Sequence, residues 1–446
     1  MAFPPDFLWG VSTSAYQIEG SPLADGAGPS NWHRFCRPGG AGAHLAPGGD
    51  VACDHYHRWR EDIALMKELG FQSYRFSVSW SRVLPGGRGP VNPAGLDFYA
   101  KLVDGLLEAG IRPLITLFHW DLPAALEDRG GWLDPDLPGR FADYAHTVAS
   151  ALSDRVEMWS TLNEPWVVMH EGHLQGSHPP GHRDFRELPR VSHNLLLAHG
   201  LGVQACRAAG ARTVGLVVNI EPKHPATDRP ADVAAAARAD AYMNRHYLDP
   251  VFFGRYPEEF PALFGEAWPA FPEADFRTIQ EPIDYLGLNY YSRGITRHDP
   301  AVPFGQWSSV PHPSHLRTDM DWEVYPEGLT ETLLWLQDRY GPIPVYVNEN
   351  GAAFPDPATA PPGGVRDPLR VEYFRTHLQA VLSAMARGAD VRGYSAWSLL
   401  DNFEWALGYA KRFGIVHVDY ETLKRTPKAS ARFLSEVVRS NGQVLG

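Results

Sequence analysis

VYVNENG, residues 345–351, sets Val345, Tyr346 and Val347 ahead of Asn348, Glu349, Asn350 and Gly351. β-Branched and aromatic residues bounded by Pro344 and a glycine read as a strand buried on both faces, the kind that parallel sheets use. An ionised side chain at the end of such a strand is costly unless it is partnered. A single strand-end glutamate commonly faces solvent or a surface arginine. What Glu349 does therefore depends on what ends the other strands.

Seven further segments share the pattern of an apolar run ending in polar or aromatic residues: 7–20, 71–82, 112–120, 156–165, 213–222, 284–291 and 391–405. Between them lie stretches with apolar residues at i, i+3, i+4 spacing, several closed by glycine: 61–70, 97–110, 140–153, 194–210, 327–341 and 371–388. Strand alternating with helix eight times predicts the α/β class and a single (β/α)8 TIM barrel, with residues 1–446 as one catalytic domain. In that fold the carboxyl ends of the strands carry the active site, and the polar and aromatic residues cluster there. Irregular stretches at 36–50, 172–190, 297–321 and 353–368 are expected to build the walls and mouth of the pocket.

Composition narrows the partners. Forty basic and 52 acidic residues give a net charge of −12, with no Lys/Arg cluster to track phosphates, so nucleic acid is excluded. Cys36, Cys53 and Cys206 are odd in number and lack CxxC spacing, which predicts neither a disulfide framework nor a thiolate zinc site and fits a cytoplasmic protein. The start MAFPPDFLWG has no signal-peptide pattern, and no run of 18 apolar residues occurs, so no membrane association is expected. Fourteen tryptophans suit packing, and they also suit the C–H faces of sugar rings.

Glu164 ends the fourth strand, in TLNEP, as Glu349 ends the seventh. Side chains pointing inward from those two ends converge over the barrel axis, and two facing acids among aromatic and amide donors have the make-up of a glycosidase dyad. Which acid does which job is open at this point. No strand end offers a lysine for a Schiff base. His298, His312 and His315 sit in an irregular loop without paired His–carboxylate spacing, so neither a metal nor a cofactor is expected. A sugar-binding protein that had lost turnover would lack one of the two acids.

TLNEPW (161–166), GLNYY (287–291), NENG (348–351) and SLLDNFEWALGYAKRFGIVHVDY (398–420) resemble glycoside hydrolase family 1, the β-glucosidase family, and FLWGVSTSAYQIEG (7–20) resembles its first strand. The likeness runs from about residue 7 to about residue 433. It implies a retaining, two-step β-glucosidase that removes terminal β-D-glucosyl residues from small β-glycosides or short β-linked oligosaccharides such as those derived from cellulose, with β-galactoside and β-fucoside activity beside it. It also implies roles. Glu164 matches the acid/base and Glu349 the nucleophile, while Arg75 and Tyr291 match residues that contact the nucleophile. Gln17, His119, Trp120, Asn163, Glu404 and Trp405 match partners of the sugar hydroxyls, Trp397 a stacking floor, and Trp166 and Trp322 the aglycone side. A guanidinium and a phenol would hold Glu349 ionised and leave the proton to Glu164. Glu404 argues against the phosphosugar branch, because a carboxylate there would repel phosphate. Glu164, where plant thioglucosidases carry glutamine, argues for O-glycosides. One departure stands out: Asn348 occupies a place where threonine usually precedes the nucleophile. Strand alternation predicts Glu349 and Val347 on the inner face, with Asn348 and Tyr346 toward the helices.

Overall fold

The computed structural model describes residues 2–311 and 315–445. Eight strands, β1 (Leu8–Ser12), β2 (Ser73–Ser77), β3 (Arg112–Phe118), β4 (Met158–Asn163), β5 (Thr213–Asn219), β6 (Tyr285–Asn289), β7 (Val345–Asn350) and β8 (Val391–Trp397), form one closed parallel barrel in chain order. Pairing of Leu8 with Gly393 through Ser12 with Trp397 closes it. Each of the eight predicted strand segments contains one barrel strand. The structure is thus the (β/α)8 barrel that the alternation predicts.

Helices return the chain from each strand to the next: α1 (His55–Leu69), α2 (Pro93–Glu108), α3 (Leu137–Leu152), α4 (Leu188–Ala208), α5 (Glu273–Ile279), α6 (Pro326–Tyr340) and α7 (Pro368–Ala386), with α8 (Ala429–Arg439) after the last strand. The local reasons are ordinary. α2 opens with proline in its first turn and buries Phe98, Leu102 and Leu106 along one stripe. The apolar core lies between these helices and the outer face of the strands, where Tyr74, Phe76, Leu286, Leu288 and Val347 meet Leu102, Leu106, Leu333 and Leu378.

The barrel interior is built from small and polar groups instead. A Cβ on Gly10 would lie 2.3 Å from Ser73 Oγ and 2.9 Å from Ser395 Oγ, so glycine lets three strands approach. Arg75 donates through Nε to Thr116 Oγ1 at 3.1 Å, and Thr116 meets Ser160 Oγ at 2.9 Å. This polar column supports the guanidinium from below.

β7 departs from the predicted alternation. Against β6, Val347 pairs with Leu288 and Glu349 with Asn289, two residues on one strand for one on the other; against β8, Val347 pairs with Tyr394 and Asn350 with Ala396. The extra residue is a bulge, which resets which face each side chain takes. Glu349 points inward as expected, but Asn348 and Tyr346 do too. The Tyr346 ring lies 5.3 Å from Tyr285, and a Cβ on Gly287 would come within 2.6 Å of Asn348 Nδ2. Val347 packs in the helix-facing core. The placement of Asn348 and Tyr346 toward the helices, and of Val347 inside, is therefore corrected. Neither amide atom of the buried Asn348 has a hydrogen-bond partner among the described residues. A side chain that bonds to none of the groups around Glu349 has little to tune, so Asn348→Thr is expected to keep kcat within about tenfold, a barrier change under about 1.4 kcal/mol. Steady-state rates on an aryl β-glucoside check this.

Between β5 and β6 the chain makes an excursion that the periodicity did not reveal, including helices Pro230–Asp240 and His246–Phe253. Strands Lys223–Pro225, Gly294–His298 and Trp307–Ser309 form a small sheet above the barrel, so the stretch 297–321 is partly ordered by strand pairing. These strands are three to five residues long and half-buried, too short to carry a pattern. Among the described residues no helix is long and apolar enough to cross a membrane.

Candidate active site

A cavity of about 1000 Å³ opens at the carboxyl ends of the strands. Glu164 and Glu349 both line it, each delivered by its strand. Glu164 follows the last residue of β4 and adopts φ 45°, ψ 64° just before Pro165 opens a short helix. A non-glycine residue in that left-handed region carries strain on the order of 1–3 kcal/mol and persists only where its surroundings hold it. Here its N–H donates to Val217 O at 2.9 Å, and its Oε1 accepts from Asn289 Nδ2 at 2.7 Å.

Glu349 is held differently. Arg75 Nη1 donates to its Oε1 at 2.6 Å and Tyr291 Oη to its Oε2 at 2.7 Å, while Arg75 Nη2 reaches Asn163 Oδ1 at 2.6 Å. One buried guanidinium therefore fixes both the carboxylate and the neighbouring amide. Asn163 in turn receives Asn289 Nδ2 at 3.1 Å, which links the surroundings of the two acids.

These contacts divide the acids electrostatically. Burial, then the charge of Glu349, pushes the Glu164 carboxyl up to about 8. Burial raises Glu349 as well, but Arg75 and Tyr291 oppose it by stabilising its ionised form. Glu404, half-buried at the cavity wall, is also pushed up to about 8, by desolvation and then by the charge of Glu349. Burial, followed by the Arg75 charge, holds His119 well below the usual histidine range, so its ring is neutral.

The predicted sugar-contacting residues gather around the same end. His119, Trp120, Trp397, Glu404 and Trp405 line the cavity. The His119 ring is stacked on Trp397 at 5.8 Å and on Trp405 at 6.0 Å, and its Nε2 meets Asn163 Nδ2 at 3.1 Å. Trp120 donates through Nε1 to Asn163 O at 2.9 Å. Gln17, Arg75 and Asn163 stand behind the wall, fully buried. The Gln17 amide donates to Asn402 Oδ1, Phe403 O and Glu404 Oε2 and so steadies the segment that carries Glu404 and Trp405. Trp166 and Trp322 lie toward the outer part, Trp166 stacked on His170 at 4.2 Å and Trp322 5.3 Å from Tyr291.

Four buried polar atoms of lining residues, His119 Nδ1, Asn289 Oδ1, Asn219 Oδ1 and Trp166 Nε1, lack a partner among the described residues. Each such group costs about 1–3 kcal/mol while unmet. The cavity thus pairs tryptophan faces with unmatched donors and acceptors, which suits a polyhydroxylated ring.

Several placements differ from the sequence expectation. Stretches 172–190 and 297–321 contribute to the wall, but 36–50 and 353–368 do not. Asp356 and Asp367 in the latter instead bond Arg370 inside the fold. His298 bonds Gln306 O, His315 pairs with Glu323, and His312 lies outside the described residues. Asn289 was not singled out, although it ends β6 within GLNYY on the same inner face as Gly287. Tyr242, Phe304 and Trp307, which build the outer wall, come from the excursion and the small sheet and left no strand-end signal.

A parallel eight-stranded barrel holding two carboxyls in a tryptophan-lined cavity, one clamped by arginine and one bonded to a neutral amide, has the architecture of the barrel glycoside hydrolases. The chain belongs to glycosyl hydrolase family 1, whose family model matches residues 1–443. It is 46% identical over 442 residues to beta-glucosidase A of Thermotoga maritima, covering 99% of this chain and 98% of that protein. It is 43% identical over 452 residues to a bifunctional beta-D-glucosidase/beta-D-fucosidase of Bifidobacterium breve, covering 96% of each. Among solved structures, the Thermotoga maritima beta-glucosidase in complex with glucoimidazole superposes with a TM-score of 0.94 at 45% identity, covering 99% of both chains.

Proposed function

We propose that this protein is a retaining β-glucosidase that removes terminal non-reducing β-D-glucosyl residues from small β-glycosides and short β-linked oligosaccharides, with residues 1–446 acting as one catalytic domain. The unequal support of the two acids carries the reading: among the described residues, Arg75 and Tyr291 on Glu349 and only the Asn289 amide on Glu164. Glu349 attacks the anomeric carbon as the nucleophile. Glu164 protonates the leaving oxygen, then takes a proton from the water that releases the sugar. Arg75 and Tyr291 keep Glu349 charged and aimed, and Asn163 couples Arg75 to the sugar-facing side. Gln17, His119, Trp120, Asn163, Glu404 and Trp405 form the hydroxyl-binding set, Gln17 acting through Glu404 and Asn163 through His119. Trp397 is the stacking face, and Trp166 and Trp322 flank the aglycone. The activities of the relatives, glucosidase and glucosidase/fucosidase, support glucosides first and β-fucosides beside them. Three buried free cysteines accord with a cytoplasmic protein.

Stereochemistry tests the proposal directly. Proton NMR during early hydrolysis of an aryl β-glucoside should show β-glucose as the first-formed anomer, and α-glucose first would overturn it. The same rate in EDTA is expected, because every step above is a proton or glycosyl transfer among protein groups.

The pH dependence follows from the same arrangement. Glu164 is raised, so it keeps its proton below about 8 and loses it as the pH rises through that value. Activity on a poor leaving group should therefore fall on the alkaline side near 8 and fall on the acid side as Glu349 gains a proton. Profiles of kcat/KM for an alkyl glucoside or cellobiose should show both limbs. Glu164→Ala should erase the alkaline one, and its survival would contradict the assignment.

A further inference from the structure

Beyond the polar end of the cavity, three ligand-type atoms converge in the segment that follows β4. His173 lies in the helical turn His170–Gln175, His182 in the loop after it, and Glu187 immediately ahead of α4. Nδ1 of His173 is 2.7 Å and Nδ1 of His182 2.9 Å from the same oxygen, Oε2 of Glu187. The two ring centroids are 5.3 Å apart with planes at 90°.

We infer that His173, His182 and Glu187 form a binding site for a divalent transition-metal ion of the zinc class, separate from the reaction centre. Both imidazoles already present Nδ1 toward one point beside a carboxylate oxygen, and the three ligand atoms all lie within 4.8 Å of one another. Zinc bonds nitrogen and carboxylate oxygen at about 2.0–2.2 Å in a tetrahedral array, which would set ligand atoms about 3.3 Å apart. The two histidine nitrogens need only draw back from the carboxylate oxygen by about half an ångström to reach that spacing. Two imidazoles and one carboxylate suit zinc, nickel or copper, whereas calcium and magnesium prefer all-oxygen shells. His173 is buried and His182 exposed, so a fourth position faces water.

The backbone prearranges the ligands. His182 N–H donates to Gly172 O at 2.9 Å and Asp184 N–H to His173 O at 2.9 Å, binding the two histidine-bearing stretches side by side. A Cβ on Gly172 would come within 2.6 Å of Pro179 O, so glycine is what lets the loop fold back this closely. An ion here would clip the turn, the loop and the start of α4 together. The same segment supplies Leu174, Gln175, Ser177, His178 and Phe185 to the cavity wall, so the clip would stiffen the outer wall and leave the paired acids alone.

The experiment uses full-length protein stripped with EDTA and returned to metal-free buffer. Calorimetric titration with zinc chloride should give one saturable site per chain, with a rise in Tm. His182→Ala and Glu187→Gln should each raise Kd at least about tenfold and abolish the Tm rise, while circular dichroism and metal-free kcat stay those of the parent. Cobalt(II) should give the intense visible bands of a four-coordinate complex in the parent and not in the variants. No saturable zinc binding, or binding and a Tm rise that survive in both variants, would overturn the site. Should His182→Ala misfold, Glu187→Gln, which keeps the side-chain shape, decides alone.

Discussion

Glu349→Ala is expected to lower kcat on an activated aryl β-glucoside by on the order of 10⁴ or more, about 5 kcal/mol or more in barrier. The loss is large because a covalent step disappears and no neighbour can replace it. Glu404, the other acid in the field of Glu349, is itself held up to about 8 and engaged by Gln17. Small anions should partly restore turnover. Formate or azide can occupy the space that the carboxylate leaves and attack from the α-face, so azide should yield the α-glycosyl azide, with inversion. Removing Glu349 also leaves Arg75, buried at 1% exposure, without its charge partner, which threatens the fold. Circular dichroism on the variant, and Glu349→Gln as a same-shaped partner for Arg75, separate lost chemistry from lost structure. A folded variant that keeps a tenth of the parental kcat would mean Glu349 is not the nucleophile.

The barrel was legible because its signals repeat. Eight apolar runs with six helical stretches read between them leave little freedom in topology. The strand ends were legible for a related reason: the fold concentrates chemistry there, so Glu164, His119, Tyr291 and Trp397 announce themselves by position. Local irregularity was not legible. The bulge in β7 inserts one residue and reverses the facing of Val347, Asn348 and Tyr346, and no residue type in VYVNENG signals it. Period-two reasoning holds only while the ladder stays regular.

The outer wall was hidden for another reason. Tyr242, Phe304 and Trp307 reach the cavity from chain that leaves the barrel between β5 and β6 or pairs in the short sheet above it. Their positions follow from tertiary packing, with ring distances of 5.2 Å from Tyr242 to Phe304 and 5.8 Å from Tyr242 to Trp307. Asn289 lies between the two cases. It was quoted within GLNYY, and the alternation Tyr285, Gly287, Asn289 already sets it on the inner face. What sequence could not supply was its partner, since only the folded chain brings its Nδ2 to Glu164 Oε1.

Glu164→Ala is expected to separate leaving groups. An alkyl or oligosaccharide oxygen needs a proton as the bond breaks, whereas dinitrophenolate departs without one. Loss of a positioned general acid removes about 10²–10⁴-fold. That loss should fall on formation of the glycosyl-enzyme for cellobiose or alkyl glucosides and largely spare it for the dinitrophenyl glucoside. For the activated substrate the second step then limits turnover, because the water that releases the sugar has lost its base. The glycosyl-enzyme should accumulate, with a burst of dinitrophenol. Azide, which needs no base, should speed the second step and give the β-glycosyl azide, retained at the anomeric carbon. That is the opposite product from Glu349→Ala, so the two variants together assign both acids. The geometry explains the contrast: Glu164 is bonded by a neutral amide and raised to about 8, whereas Glu349 is clamped by a guanidinium. Measuring kcat and kcat/KM for Glu164→Ala across phenols of graded acidity, with and without azide, decides the matter. Equal losses on every leaving group, or no effect of azide, would remove Glu164 from the acid/base role.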